Sequence, residues 1–219
     1  LALAGNYDWE AVLRALEVHS ADWRPAGAGR SYPALKPRSG LVQERDSSLG
    51  RAHAAVYAPG VSAQDERRYA AALLACCLGD SSGSRLYWAL VDKGLADSAS
   101  LSHDGSDGAG AFTGYLSTAP ENLDAVLETY LATLRGAERE VPMADEWERA
   151  QRKLATSVTL RGETPFGRLM SFGDAYLHTG RYESIADTVA RIFATPVSDA
   201  AELLAEAPFS RAFAFVLRP

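Results

Sequence analysis

The chain has 219 residues, of which 47% are hydrophobic and 23% charged, a balance that fits one large globular domain or a domain with an appendage. Its formal net charge of -6, with Lys and Arg interleaved among Asp and Glu, excludes a general binder of nucleic acid or of acidic membranes. No apolar run reaches the roughly 18–20 residues of a membrane span, and no basic-then-apolar leader opens the sequence, so neither a span nor a signal peptide is expected.

Residues 1–4 read as a strand, followed by a turn at Gly5 and Asn6. A helix comes next, which Asp8 can cap and along which Trp9, Val12, Leu13 and Leu16 recur at helical spacing. An opening on a bare strand without Met predicts a longer protein upstream. Pro25, Pro33 and Pro37, with Gly27, Gly29 and Gly40, erase any period, so residues 25–40 are expected to be an extended linker. Residues 1–24 would then be the tail of a preceding domain, and 41–219 a domain of their own.

Residues 41–46 and 52–59 read as strands, 62–78 as a helix capped by Ser62, and 85–93 as a shorter helix ended by Gly94. Residues 95–103 and 109–119 form a hairpin by the turn chemistry of the glycine-rich segment between them. Thr118 to Glu121 has the form of a capping box, ahead of an apolar stripe of Leu123, Val126, Leu127, Tyr130, Leu131 and Leu134. Further helices carry Trp147, Ala150, Leu154 and Val158, open at Thr164-Pro165, and start at the caps Ser184 and Ser198; residues 212–217 close the chain as a strand. This order predicts an α+β fold, a mainly antiparallel sheet with helices packed on one face.

Gly79-Asp80-Ser81-Ser82-Gly83 matches the G-x-S-x-G pattern of a nucleophile elbow, which needs a strand before the serine and a helix after it. A helix precedes it here, and neither His103 nor His178 has an acid partner at a recognisable spacing, so Ser81 is not expected to be a nucleophile. A phosphate loop fails as well, because three residues rather than four separate the glycines and Ser84-Arg85 follows Gly83. A weak anion site at the start of the next helix is one remaining reading. A plain helix-to-helix turn, with Ser82 or Ser84 as cap, is the stronger. Cys76 and Cys77 are adjacent, a geometry against a mutual disulfide, and read as buried thiols of a reducing compartment. His19, His53, His103 and His178 are scattered singly and make no zinc-ligand set with them.

Taken in order, the glycine-rich turn, Ser84-Arg85-Leu86, Gly94-Leu95-Ala96, a hairpin and Pro120-Glu121-Asn122 before a long helix resemble the non-catalytic half of the pitrilysin/insulinase family of zinc peptidases. Residues 146–182, with Ala150 and Lys153, look like the helix pair that follows, and residues 1–23 are similar to the strand and helix that end the family's first domain. The resemblance implies a metallopeptidase-like α/β roll. It also implies a zinc site in the other half, built on His-x-x-Glu-His plus a distant Glu, where two histidines hold the ion and the Glu activates its water. That pattern does not occur in this chain, so no cofactor is expected on it, and zinc is expected in a catalytic half in cis or on a second subunit. Many active members carry an Arg and a Tyr around the Gly-Leu-Ala turn that help hold substrate. Leu90 or Val91 stands at the Arg position and Asp97 at the Tyr position, and a carboxylate cannot donate to an oxyanion at neutral pH.

The resemblance thus implies the C-terminal half of such a peptidase, or its inactive partner subunit, closing over a peptide substrate. Ser82, Gly83, Ser84 and Arg85 are the expected surface facing substrate or partner, with no catalytic residue on this chain. For Arg85 a structural ion pair is the competing reading. The alternative function is a non-enzymatic scaffold or assembly domain of the same fold, and a homo-oligomer is compatible with either.

Overall fold

In the computed structural model the residues described are 1–219 apart from 25, 26, 28, 30 and 33–35. Part of the linker expected at 25–40 therefore lies outside the described residues. Five strands, β1 (Gly40–Arg45), β2 (Ala52–Gly60), β3 (Ser98–Ser106), β4 (Ala109–Thr118) and β5 (Phe213–Arg218), form one sheet in the order β1-β5-β2-β4-β3. β1 runs parallel to β5, and every other pair is antiparallel. The sheet is therefore mainly antiparallel, as the sequence predicts.

Small and branched residues alternate with larger ones along β2, so Ala52, Ala54, Val56 and Ala58 are buried while His53, Ala55 and Tyr57 face the other way. The register places His53 beside Ser117 and Leu217, and Ala55 beside Tyr115 and Phe215, on that open face. The β3–β4 hairpin closes on Asp107-Gly108, with Gly108 at φ +70°, the left-handed conformation such a two-residue turn requires.

The helices are α1 (Trp9–Ser20), α2 (Arg68–Gly79), α3 (Leu123–Ala137), α4 (Ala144–Arg161), α5 (Pro165–Thr179), α6 (Ile185–Ala194) and α7 (Val197–Ala205). Leu73, Leu74 and Leu78 of α2, Val126, Tyr130 and Leu134 of α3, and Ile192 of α6 join Phe112, Leu116 and Val216 of the sheet in one core. Each such side chain contributes about 1.5–3 kcal/mol by leaving water. Gly79 permits the closest approach: a Cβ there would lie 2.3 Å from the Leu101 nitrogen of β3.

The caps at Asp8, Thr164 and Ser184 form as expected, accepting from the N–H groups of Ala11, Gly167 and Asp187. Other expectations are corrected. α2 starts at Arg68 rather than Ser62, because Ala63 N–H donates to the Ser106 carbonyl and the Asp65 carboxylate binds the Arg67 N–H and guanidinium. That local side-chain bonding competes with helix. Thr118 is buried at the end of β4 and donates to the Leu95 carbonyl at 2.7 Å, so it caps nothing, and α3 is reached through a 3-10 turn, Pro120–Asn122. Ser198 lies inside α7, whose N-cap is Pro196. The helix expected at 85–93 is a π-helical turn, Tyr87–Val91, before Gly94 at φ +68°. Residues 1–4 pair with no strand among the described residues, and α1 buries none of its side chains.

Candidate functional site

The turn after α2 is built by two conformational breaks. Asp80 leaves the helix with ψ 154°, and Gly83 sits at φ +67°, where a side chain would be strained. Between them Ser82 is exposed, as is Gly83 itself. Ser84 is buried; its Oγ donates to the Asp80 carbonyl at 2.7 Å and accepts from the Tyr87 N–H at 3.2 Å. Ser84 is thus the capping serine of the next helical turn. Ser81 Oγ lies 3.4 Å from Asp80 Oδ1, on a turn entered from a helix, so the strand-to-helix geometry of a nucleophile elbow is not formed.

α4 braces this turn from one face. Glu146 and Lys153, seven residues apart and so stacked along the helix, reach it at two points. Arg85 Nε and Nη2 each lie 2.9 Å from a Glu146 carboxylate oxygen, and Arg85 Nη1 donates to the Glu140 carbonyl at 2.8 Å. Glu146 also accepts from the Met143 N–H at 2.8 Å, closing the start of α4. The Arg85 guanidinium holds the Glu146 carboxyl below its ordinary range, against the effect of burial. Lys153 Nζ binds Asp80 Oδ2 at 2.6 Å and the Ser82 carbonyl. The four residues singled out from the sequence are therefore one continuous braced turn, with Ser82 and Gly83 outward and Ser84 and Arg85 inward. Glu146 and Lys153 had no local signal linking them to it.

Asp97 is tied to Arg51, whose Nε donates at 2.7 Å, and that guanidinium lowers the carboxyl. Of the two residues that the resemblance aligns with the family's Arg, Leu90 is fully buried and Val91 is half-buried. Burial pushes the thiols up, Cys76 to about 11 and Cys77 to about 12, so neither is a ready nucleophile. His103 is desolvated, which lowers its pKa, and its Nε2 accepts from the Val61 N–H at 3.2 Å.

His178 does have acid partners, contrary to the expectation from spacing. Its Nδ1 lies 2.6 Å from Asp107 Oδ1 and its Nε2 3.5 Å from Asp174 Oδ1. Asp107 also accepts from Gln64 Nε2 at 2.6 Å and Tyr32 Oη at 2.5 Å, and its carboxyl is held far below the ordinary range, His178 being the first cause. The Asp-Gly dipeptide reads only as a turn in sequence; the fold brings it 71 positions along the chain to α5. Gln64, Arg68, His178, Arg181, Glu183 and Arg191 line a cavity of about 500 Å3 beside it. Opposing charges are matched there: Glu183 takes Arg68, Arg191 and the Tyr69 hydroxyl. Among the described residues, no group of three or more His, Cys, Asp and Glu side chains could hold a metal ion, and no helix is long and apolar enough to cross a membrane.

A five-stranded, mainly antiparallel sheet packed with helices, carrying a braced glycine-rich turn, defines the domain as α+β. The family model of the peptidase M16 inactive domain matches residues 1–154, and the chain belongs to that family. An uncharacterised zinc protease of Streptomyces coelicolor is 30% identical over 210 residues, covering 91% of this chain and 45% of that protein. The chain thus spans less than half the length of this relative. The fold is also that of a protease from Helicobacter pylori (TM-score 0.81, 16% identity, 99% of this chain and 54% of that one). A peptidase M16 inactive domain from Pseudomonas fluorescens superposes with a TM-score of 0.75, 19% identity, 96% of this chain and 50% of that one.

Proposed function

We propose that this domain is the non-catalytic half of a two-part zinc peptidase, closing over a peptide opposite a zinc ion held by a catalytic half in cis or on a second subunit. The observation that carries the reading is the match to the inactive-domain family, in a chain that covers only 45% of a zinc-protease relative. Residues 1–24 are then the tail of the preceding domain, 25–40 the linker and 41–219 the closing half. Ser82 and Gly83, at the tip of the braced turn, form its contact with substrate or catalytic half, and Ser84 and Arg85 hold the tip in shape. Asp97, kept ionised by Arg51, offers an acceptor where a hydroxyl donor would be needed, so transition-state charge is stabilised from elsewhere.

The test is peptide cleavage by the intact protein purified from its source. Loss of cleavage with a chelator, recovery with zinc, and indifference to a serine-reactive reagent are expected. Cleavage that survives the chelator would contradict the reading. A second reading, a scaffold without peptidase activity, draws on the fold shared with a chain of Complex III2 from Candida albicans (TM-score 0.80, 18% identity, 98% of this chain and 53% of that one). It predicts no cleavage by the intact protein under any of these conditions.

A further inference from the structure

The cavity of about 500 Å3 beside the hairpin tip takes its walls from the approach to α2, the end of α5 and the first turns of α6. Gly180, left-handed at φ +67°, ends α5 and turns the chain back, so that Arg181 and Glu183 line the cavity. Glu66 and Arg68 join them from the start of α2, and Asp187 and Arg191, four residues apart and so on one face, from α6. Three guanidinium groups and three carboxylates balance in formal charge. Their hydrogen bonding does not balance. Glu183 is committed to the Tyr69 hydroxyl at 2.6 Å, and Asp187 to the N–H and hydroxyl of Ser184 at 3.1 and 2.6 Å. The arginines are under-used. Arg191 stands 3.3 Å from Glu183 and 3.4 Å from Glu66, and Arg68 stands 3.6 Å from Glu183. Those three pairs are the longest arginine–carboxylate pairs among the described residues; away from the cavity each one closes to 3.1 Å or less. A separation beyond about 3.2 Å gives a weak hydrogen bond at best, so N–H groups remain open on both side chains. The Arg181 guanidinium has no partner at all among the described residues. Arg68 is fixed in place by the Tyr69 ring, whose centroid lies 4.6 Å from the guanidinium carbon.

We propose that this cavity binds a carboxylate, gripped by Arg181 and Arg191 with Arg68 behind them, on a ligand whose remainder fills the rest of the space. A planar carboxylate matches the guanidinium fork and takes up the surplus donors. A phosphate suits the site less well, because Glu66, Glu183 and Asp187 already neutralise the three cations and would repel a second negative charge. The carboxylate comes from an acidic side chain of a bound peptide or from a free organic acid, the chemistry of recognition being the same. The site shares no residue with the braced turn at Ser82 and Gly83, and it does not depend on the peptidase reading.

The intact protein, with a chelator present to stop any cleavage, is titrated by calorimetry with two blocked tripeptides that differ only in a central glutamyl or glutaminyl residue. Propionate and inorganic phosphate are titrated alongside. The glutamyl peptide is expected to bind about tenfold more tightly than the glutaminyl one, the worth of one charge-assisted pair. Arg181→Gln, at an exposed side chain without a partner in the fold, should abolish that preference and leave the thermal midpoint unchanged. Propionate that displaces the glutamyl peptide at matched affinity would support the site with a free acid as its source. Propionate bound far more weakly would support it with a peptide's acidic side chain. Equal binding of the two peptides by the parent protein, or a preference kept in full by Arg181→Gln, would overturn the site. Phosphate bound more tightly than either carboxylate would overturn the choice of ligand. Cleavage plays no part in the measurement, so each of these results leaves the peptidase reading where it stood.

Discussion

Arg85 and Glu146, 61 residues apart in sequence, meet in a two-pronged ion pair with both N–O distances at 2.9 Å. The pair fastens the turn after α2 to the first turn of α4, and the same guanidinium satisfies the Glu140 carbonyl between α3 and α4. Arg85→Ala would leave a partly buried carboxylate without its partner. We expect a loss of about 2 kcal/mol, below the range for fully buried pairs because water still reaches both groups. Arg85→Lys should recover less than half, since an ammonium cannot reproduce the planar fork. Urea unfolding of the intact protein measures both, and an unchanged midpoint for the alanine variant would remove the brace from the account.

Acid should weaken the fold in two stages. His103 is held below its ordinary 6.5 by burial, so its contribution is complete above 6.5 and is lost as pH falls through its lower folded value. Glu146 is held below its ordinary 4.5, chiefly by Arg85, so its contribution is complete above 4.5 and is lost further into acid. Both slopes have the same sign. Thermal unfolding measured against pH is expected to show the second stage flattened in Glu146→Gln and the first retained. A variant curve parallel to the parent's below 4.5 would count against the assignment.

Two glycines should respond in opposite directions to alanine. At Gly79 the new Cβ would meet Leu101 backbone at 2.3 Å, and overpacking of this kind costs about 1–3 kcal/mol. At Gly136, inside α3, nothing lies within 4 Å of the new Cβ. Alanine there should stabilise by about 0.5–1 kcal/mol through helix propensity. Equal effects at the two sites would contradict the close packing of α2 on β3.

Lys153→Ala should loosen the turn without unfolding the domain, because the lysine holds Asp80 and the Ser82 carbonyl from the solvent side. Amide exchange at the turn is expected to quicken about tenfold, a change of about 1.4 kcal/mol in local opening, while exchange in α2 stays as it was. Ser81→Ala, by contrast, should leave peptide cleavage by the intact protein unchanged. Loss of cleavage in that variant would reopen the nucleophile reading.

Much of this architecture is legible in the order of residues because it depends on short periods. The alternation at Ala52 to Ala58, the stripe from Leu123 to Leu134 and the caps at Asp8, Thr164 and Ser184 each encode an element within a few positions. The errors fall where tertiary bonds outweigh local preference. Ser62 and Thr118 look like caps, but Ala63 is captured by the hairpin tip and the Thr118 hydroxyl by Leu95. The bracing partners Glu146 and Lys153, and the Asp107 partner of His178, join positions more than sixty residues apart, which no local pattern connects. Residues 1–4 read as a strand, although no strand of the described sheet pairs with them.

Native mass spectrometry of the protein purified from its source without chelators tests the central claim most directly. A species much heavier than 23.5 kDa, as a longer chain or a heteromer, with bound zinc is the predicted result. A metal-free species of about 23.5 kDa, alone or as a homomer, would contradict the reading of this domain as half of a zinc peptidase.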